Sequence, residues 1–308
     1  MKHLQSNLPA EAHTPMYNWH KYWARKTWNV VGQFIENYCP EDGIVLDPFS
    51  GSGVTAIEAL RRGRRIIAID LSPIANNILL ATITPVNLLE LLNAYQRVEK
   101  KVKKEILSLY QTECRACHKQ IEFDCMIWEG NKAKEVRYRC PNCGDRQEKG
   151  CSLLKSDEDL LKQITQTIIT LPYPNQGLYY GDGKPFMKKE KYESLDQLFT
   201  HRNLLALAIL RDAIEKEANP ELKFMLKMAF TSMVHLCSRM TPVRPSRPFS
   251  TFWAEHSYWY VPIYMEQNVW NEFESSVTGR QGLIEAKKES NDELKDIRFA
   301  KNLKPRVQ

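Results

Sequence analysis

The feature that most constrains this chain is a strand–turn–helix–strand register around two glycines. A short apolar run, Ile44-Val45-Leu46, ends in Asp47-Pro48-Phe49-Ser50-Gly51-Ser52-Gly53. A helix-like stretch follows from Val54 to Arg62, then Gly63, and a second apolar run, Ile66-Ile67-Ala68-Ile69, ends in Asp70. This order opens a parallel α/β sheet. Gly51 and Gly53 let the backbone turn tightly and let a ligand approach main-chain N–H groups with no Cβ in the way. Asp70 falls where such folds place a carboxylate for ribose hydroxyls. The register predicts a nucleotide-bearing ligand in preference to a bare βα turn.

The rest of the chain is read more coarsely. Residues 1–19 are polar and carry Pro9 and Pro15, which predicts an irregular arm. From Lys21 to Tyr38, Trp28, Val31, Phe34 and Ile35 recur at helical spacing. Ser72-Pro73 is a plausible cap for a helix over Ile74–Thr82, and Leu88–Tyr110 is long, helical and increasingly charged. Further helical patterns span Asp157–Thr170, Asn203–Glu217 and Leu222–Arg239, and Gln176–Gly183 has the makings of a third short strand. Beyond Thr278 charge rises and periodicity fades, which predicts a flexible tail. The expected division is 20–110 for the cofactor-binding α/β part, 111–151 for a cysteine module, 152–280 for a helical and aromatic–basic region, and 281–308 for a charged tail.

The spelling of the turn narrows the ligand. A dinucleotide pattern would place a third glycine at 56, where this chain has Ala56. The run Leu46 to Ala56 instead resembles the first, cofactor-binding motif of S-adenosylmethionine-dependent DNA amino-methyltransferases. Ala68-Ile69-Asp70-Leu71-Ser72-Pro73 resembles their second motif. His20-Lys21-Tyr22-Trp23-Ala24-Arg25-Lys26 resembles the segment that helps enclose the methionine end of the cofactor. The three matches cover roughly 20–80. The resemblance implies a Rossmann-like methyltransferase sheet, with S-adenosylmethionine held by Lys26, Asp47, Pro48, Phe49, Ser50, Gly51, Ser52, Gly53, Asp70, Leu71 and Ser72. It also implies methylation of an exocyclic amino group of adenine or cytosine in DNA, of the kind found in restriction–modification.

The family pattern then breaks. Its catalytic loop, an acid, amide or serine followed by Pro-Pro and an aromatic, holds the target amine and stacks on the extruded base. No Pro-Pro dipeptide occurs here, so no residue is assigned to catalysis. With two convincing strands, the sheet is expected to be incomplete in this chain, leaving an apolar strand edge exposed, which soluble proteins avoid. The expectation is a split enzyme whose second polypeptide supplies the catalytic half, or a truncated reading of a longer one. The alternative is a non-catalytic subunit that binds S-adenosylmethionine and zinc and recognises DNA; a relative acting on RNA is a third reading.

Cys114-Arg115-Ala116-Cys117 and Cys140-Pro141-Asn142-Cys143-Gly144 form two CxxC knuckles separated by 118–139. Four soft thiolates at this spacing point to a structural zinc ribbon, ahead of a redox dithiol or an iron–sulfur cluster. His118 and Cys125 read as bystanders, and Cys39, Cys151 and Cys237 as ordinary buried thiols. The ribbon's Lys132, Lys134, Arg137, Arg139, Arg146 and Lys149, with Trp128 and Tyr138, suit either a phosphate track or an ordinary solvated surface. Between Arg239 and Trp270 lie Arg244, Arg247, Phe249, Phe252, Trp253, Tyr258, Trp259, Tyr260 and Tyr264. These read as the filling of a core under a long loop or as a target-recognition region.

The net charge of +6 permits a nucleic-acid partner without demanding one. No apolar run approaches the roughly 18–20 residues of a membrane span, and the first residues lack an export-signal core. The expected location is cytoplasmic, with no membrane partner.

Overall fold

The structure, a computed structural model, describes residues 8–185, 193–251 and 261–295. In chain order the elements are α1 (Pro15–Asn18), α2 (Trp28–Tyr38), β1 (Ile44–Asp47), α3 (Val54–Arg61), β2 (Arg65–Ala68), α4 (Pro73–Ile83) and α5 (Leu88–Ser108). Next come β3 (Gln111–Glu113), β4 (Gln120–Glu122), β5 (Cys125–Glu129), β6 (Lys132–Arg137), β7 (Cys151–Ser152) and α6 (Lys155–Gln166). The remainder is α7 (His201–Glu215), α8 (Pro220–Met233), β8 (Ile263–Gln267), α9 (Val269–Thr278) and α10 (Leu283–Glu293). The chain is a mixed α/β protein. It divides into two compact units that interleave along the sequence: 1–94, 220–232 and 275–308 in the first, 95–219 and 233–274 in the second. Residues 95–110, expected beside the glycine turn, cluster in the second unit.

In the first unit β1 and β2 pair in parallel, Ile44 with Arg65 through Asp47 with Ala68. Residues Gly51 to Gly53 and α3 make the crossover. Helix α3 starts from left-handed Gly53 and stops before Gly63, also left-handed at φ +71°; α4 opens on Pro73 and ends ahead of Pro85. Val54, Ala56, Ile57 and Leu79 form the core, with Ile66 and Ala68 packed against it from β2. The opposite face of the sheet is bare: Ile44, Leu46, Ile67 and Ile69 are about half exposed or more.

Two expectations fail in this unit. The arm before residue 20 is not irregular throughout: α1 buries Met16 and Tyr17 in the core, and Tyr17 donates to the buried Glu58 carboxylate. Four residues are too few to display a period. Residues 279–295 are also ordered: α10 carries Leu283 and Ala286 into the interior, and Leu294 just after it is buried as well. Lys287, only 1% exposed, donates to the carbonyls of Ala81, Thr82 and Thr84 at the end of α4. It caps carbonyls that the helix itself leaves unpaired.

The second unit contains a four-stranded antiparallel sheet, order β7-β6-β5-β8, and the separate β3–β4 hairpin. Strand β8 arrives from far along the chain to pair with β5 from Cys125–Gln267 to Glu129–Ile263. Helix α7 is buried on most sides, and its Arg202 meets Glu266 of β8 at 3.4 Å, both side chains being almost fully enclosed. Trp128 Nε1 also donates to Glu266, at 2.8 Å. Residues 176–183 form no strand; Gly177 and Tyr179 make isolated bridges to Ser194 and Pro185. Phe252, Trp253, Tyr258, Trp259 and Tyr260 lie outside the described residues. No described helix is long and apolar enough to cross a membrane.

Candidate cofactor cleft and metal centre

The glycine turn borders a cleft of about 320 Å³ lined by Tyr22 to Lys26, Phe49 to Ser52, Val54 and Asp70. That is at the small end of ligand cavities, which run from about 300 to 1,000 Å³. Gly53 sits at φ +88°, where an added Cβ would collide with Leu79 Cδ1. Gly51 sits at φ +51°, and its Cβ would come within 2.9 Å of Tyr22 Cε1. Both glycines are required by conformation and by close approach together.

Asp70 buttresses the turn. One carboxylate oxygen accepts from the Gly51 N–H at 2.7 Å and the other from the Ser72 N–H at 2.8 Å. Each oxygen keeps a further lone pair for a ligand hydroxyl. Asp47 divides its work differently: Oδ1 accepts from the Phe49 N–H at 3.1 Å, while Oδ2 faces Lys26 Nζ at 3.6 Å. Asp47 Oδ2 and Ser50 Oγ are buried with no hydrogen-bond partner. Such groups are costly unless something else satisfies them. This donor and acceptor set, with the Cβ-free cradle, fits a nucleoside carrying a zwitterionic tail.

Of the residues expected to hold the cofactor, Lys26, Phe49, Ser50, Gly51, Ser52 and Asp70 line the cleft directly. Asp47 reaches it through Lys26, and Gly53 shapes the turn. Pro48, Leu71 and Ser72 are not among the lining residues, and Leu71 is fully exposed. The helical spacing from Lys21 misleads, since α2 begins only at Trp28. Residues 20–27 are a loop with Ala24 held at φ +52°, a conformation uncommon for a residue with a Cβ. His20 pins that loop. Burial pushes its imidazole down to about 4, so the ring is neutral, and Nδ1 faces the Lys21 carbonyl at 2.9 Å. A carbonyl only accepts, so Nδ1 carries the proton, and Nε2 lies 3.0 Å from the Thr231 hydroxyl. Arg25 donates to the His20 carbonyl, and burial brings its guanidinium down to about 10. Tyr22 and Trp23 also line the cleft, and the 20–26 segment that carries them is the sequence signal for both.

The four cysteines converge. Their sulfurs all lie within 4.8 Å of one another, with Cys114–Cys143 at 3.6 Å and Cys117–Cys140 at 3.7 Å. Tetrahedral zinc with Zn–S bonds of about 2.3 Å needs sulfurs ~3.8 Å apart. The two knuckles are built alike: the His118 N–H bonds the Cys114 carbonyl at 3.0 Å, as the Gly144 N–H bonds that of Cys140 at 3.1 Å. His118 and Gly144 both take left-handed backbone, at φ +56° and +80°. His118 is thus a turn residue, its ring turned to Glu113, and Cys125 points at the Pro248 carbonyl. Around Cys140, desolvation opposes the thiolate, but the N–H groups of Cys143 and Asn142 and neighbouring thiols outweigh it and hold the thiol at about 6. Tyr138 donates to Asp145 at 2.9 Å, and that carboxylate faces Cys114 Sγ.

Residues 4–79 match the family model N6_N4_Mtase, a DNA methylase. The matched segment contains the 20–26 loop, the glycine turn and Asp70, and it ends within α4, before the four clustered cysteines. The match supports DNA methyltransferase activity in general terms. No curated protein and no solved structure matches the chain.

Proposed function

We propose that this chain is the cofactor-binding part of an S-adenosylmethionine-dependent DNA methyltransferase acting on an exocyclic amino group of adenine or cytosine. The observation that carries the reading is the pair of buried oxygens without a hydrogen bond, Ser50 Oγ and Asp47 Oδ2, the latter facing only Lys26 at 3.6 Å, beside a glycine turn inside a DNA methylase match. Gly51 and Gly53 bring the main chain against the nucleoside, and Asp70 accepts its ribose hydroxyls while holding the turn. Asp47 Oδ2 receives the ligand's ammonium and Lys26 its carboxylate, each exchanging one ionic partner for another. Bound S-adenosylmethionine supplies an electrophilic sulfonium methyl to the attacking nitrogen.

The bare sheet face supports a second element of the proposal. The Arg65 and Ile69 N–H groups bond the Gly43 and Asp47 carbonyls, so alternation turns the backbone groups of Ile44 and Leu46 to the other edge of β1. Parallel sheets are normally covered on both faces. A further α/β segment, in a second polypeptide or elsewhere in a longer one, would pair with β1, cover Ile44, Leu46, Ile67 and Ile69, and carry the catalytic loop. Four thiolates leave no open coordination position, so the zinc is structural.

The test is calorimetric titration with S-adenosylmethionine. The expected result is one site per chain, weakened ~10- to 100-fold by Asp47→Ala, as loss of a charge-assisted hydrogen bond of about 1.5–3 kcal/mol requires. Equal affinity in the variant, or no binding by the wild type, overturns it. Labelled methyl transferred to DNA by the chain alone would remove the need for the further segment.

A further inference from the structure

Trp128 and Lys132, which the sequence leaves between a phosphate track and a solvated surface, meet in a cleft of the second unit. It measures about 440 Å³, within the roughly 300–1,000 Å³ of ligand cavities. One wall is the β5–β6 hairpin; the other is α6, which lines the cleft with Leu161, Lys162 and Thr165 at helical spacing. All the lining residues fall between 128 and 166, so the cleft belongs to the second unit by itself.

Strand register explains its shape. Trp128 stands opposite Tyr264 of β8 on one side and Ala133 of β6 on the other, so the three side chains share one face of the sheet. Tyr264 stacks on the indole at 6.1 Å, with the rings 5° from parallel. Ala133 sets only a methyl on the other side, and there the cleft opens, reaching an indole that is 9% exposed. The ladder also skips Lys134 between the Ile127–Glu135 and Trp128–Ala133 pairs. A bulge of this kind re-aims side chains, and bulges concentrate beside functional sites. Indole, methyl and the half-buried Leu153 and Leu161 together make an apolar lining suited to a flat ring.

The polar groups select among flat rings. The Asn131 side-chain oxygen accepts from Arg239, which leaves its amide hydrogens for a ligand, and Gln166 offers both a donor and an acceptor. Nucleobase edges carry the same mixture. Lys162 makes no ion pair among the described residues, and Lys132 lies near Glu129, whose carboxylate Lys134 already bonds at 2.7 Å. Glu158, the carboxylate in the lining, faces Lys155 at 3.8 Å. Cations beside an aromatic platform are the combination that holds a base and its backbone phosphate.

We propose that this cleft binds one unpaired base of DNA, stacked on Trp128, with its phosphate at Lys132 and Lys162. The proposal rests on the reading of the chain as acting on DNA, and it adds a substrate contact away from the cofactor cleft.

The experiment uses the full chain and a labelled single-stranded oligonucleotide, read by anisotropy in a salt series and by photo-crosslinking through an iodinated cytosine. Ala133→Leu fills the cleft from a half-buried position and leaves the Trp128–Glu266 bond intact. It is expected to weaken strand binding ~5- to 150-fold, the worth of one base–aromatic stack, and to remove a wild-type crosslink at Trp128. Lys162→Gln is expected to lower the slope of log affinity on log salt by about 0.7, one phosphate contact on a single strand. Both variants should melt like the wild type and bind S-adenosylmethionine as tightly. No strand binding by the wild type, a crosslink that maps away from Trp128, or equal affinity in Ala133→Leu overturns the proposal. Polyglutamate that displaces the strand with no crosslink at Trp128 would assign the cleft to an acidic peptide and overturn it too. Failed cofactor titration would refute the methyltransferase reading while leaving the Trp128 crosslink in place.

Discussion

Gly53→Ala and Gly63→Ala make a matched pair that isolates the role of the glycine turn. Both positions are left-handed, φ +88° and +71°, so each alanine bears a backbone penalty of about 1–2 kcal/mol. Each also narrows the unfolded ensemble, which returns about 0.4–1 kcal/mol. At Gly63 nothing lies within 4 Å of the new methyl, so the net cost should be about 0.5–1 kcal/mol. At Gly53 the methyl collides with Leu79 Cδ1 and sits 3.0 Å from Leu79 Cβ, inside the core beside Val54 and Ile57. Overpacking there adds about 1–3 kcal/mol, for a total near 2–4 kcal/mol. Urea unfolding followed by circular dichroism, with midpoints and slopes compared, measures both. Cofactor titration should show Gly63→Ala binding as the wild type does and Gly53→Ala binding weakly. If the two variants lose equal stability, the clash with Leu79 is not real and the account of the turn is wrong.

Metal analysis should find one zinc per chain, and Cys117→Ser should abolish it along with the exchange protection of 114–146; a full complement of zinc in that variant would refute the four-sulfur site. Burial brings the Lys287 ammonium down to about 7 from its usual 10.5. Between those values the unfolded chain holds a proton that the folded chain has lost, so the cost of burying the charge is constant below pH 7 and is relieved as pH rises toward 10.5. The melting temperature of the wild type minus that of Lys287→Met should therefore rise between pH 7 and 10.5, and parallel curves would contradict it. Arg202→Ala leaves the enclosed Glu266 carboxylate unpaired and should cost about 3–5 kcal/mol, whereas Arg202→Met/Glu266→Gln should recover most of that in the same urea assay.

What could be read in the sequence follows from what each residue needs. Gly51 and Gly53 announce themselves because no other residue tolerates both their torsions and their neighbours, and Cys114, Cys117, Cys140 and Cys143 because only clustered thiolates make that spacing useful. Long periodic helices such as α5 were also legible: Leu91, Ala94, Tyr95, Val98, Val102 and Ile106 are all buried. What escaped depends on partners distant in the chain. Lys287 reads as a surface charge until the end of α4 is placed against it. Strand β8 looks like part of an aromatic loop until it pairs with β5, and Phe249 gives no local sign of Arg139 and Arg146, whose guanidiniums lie over its ring.

The interleaving of the two units has a consequence for biosynthesis. Residues 95–219 and 233–274 emerge from the ribosome before α10, so the second unit is complete in sequence while the first still lacks Leu294 in its core and the Lys287 cap on α4. The glycine turn is made before α10 and waits on it for its finished surroundings. Cofactor affinity should thus appear abruptly in a series of nascent chains of increasing length, only once α10 has emerged and after the four cysteines have already converged.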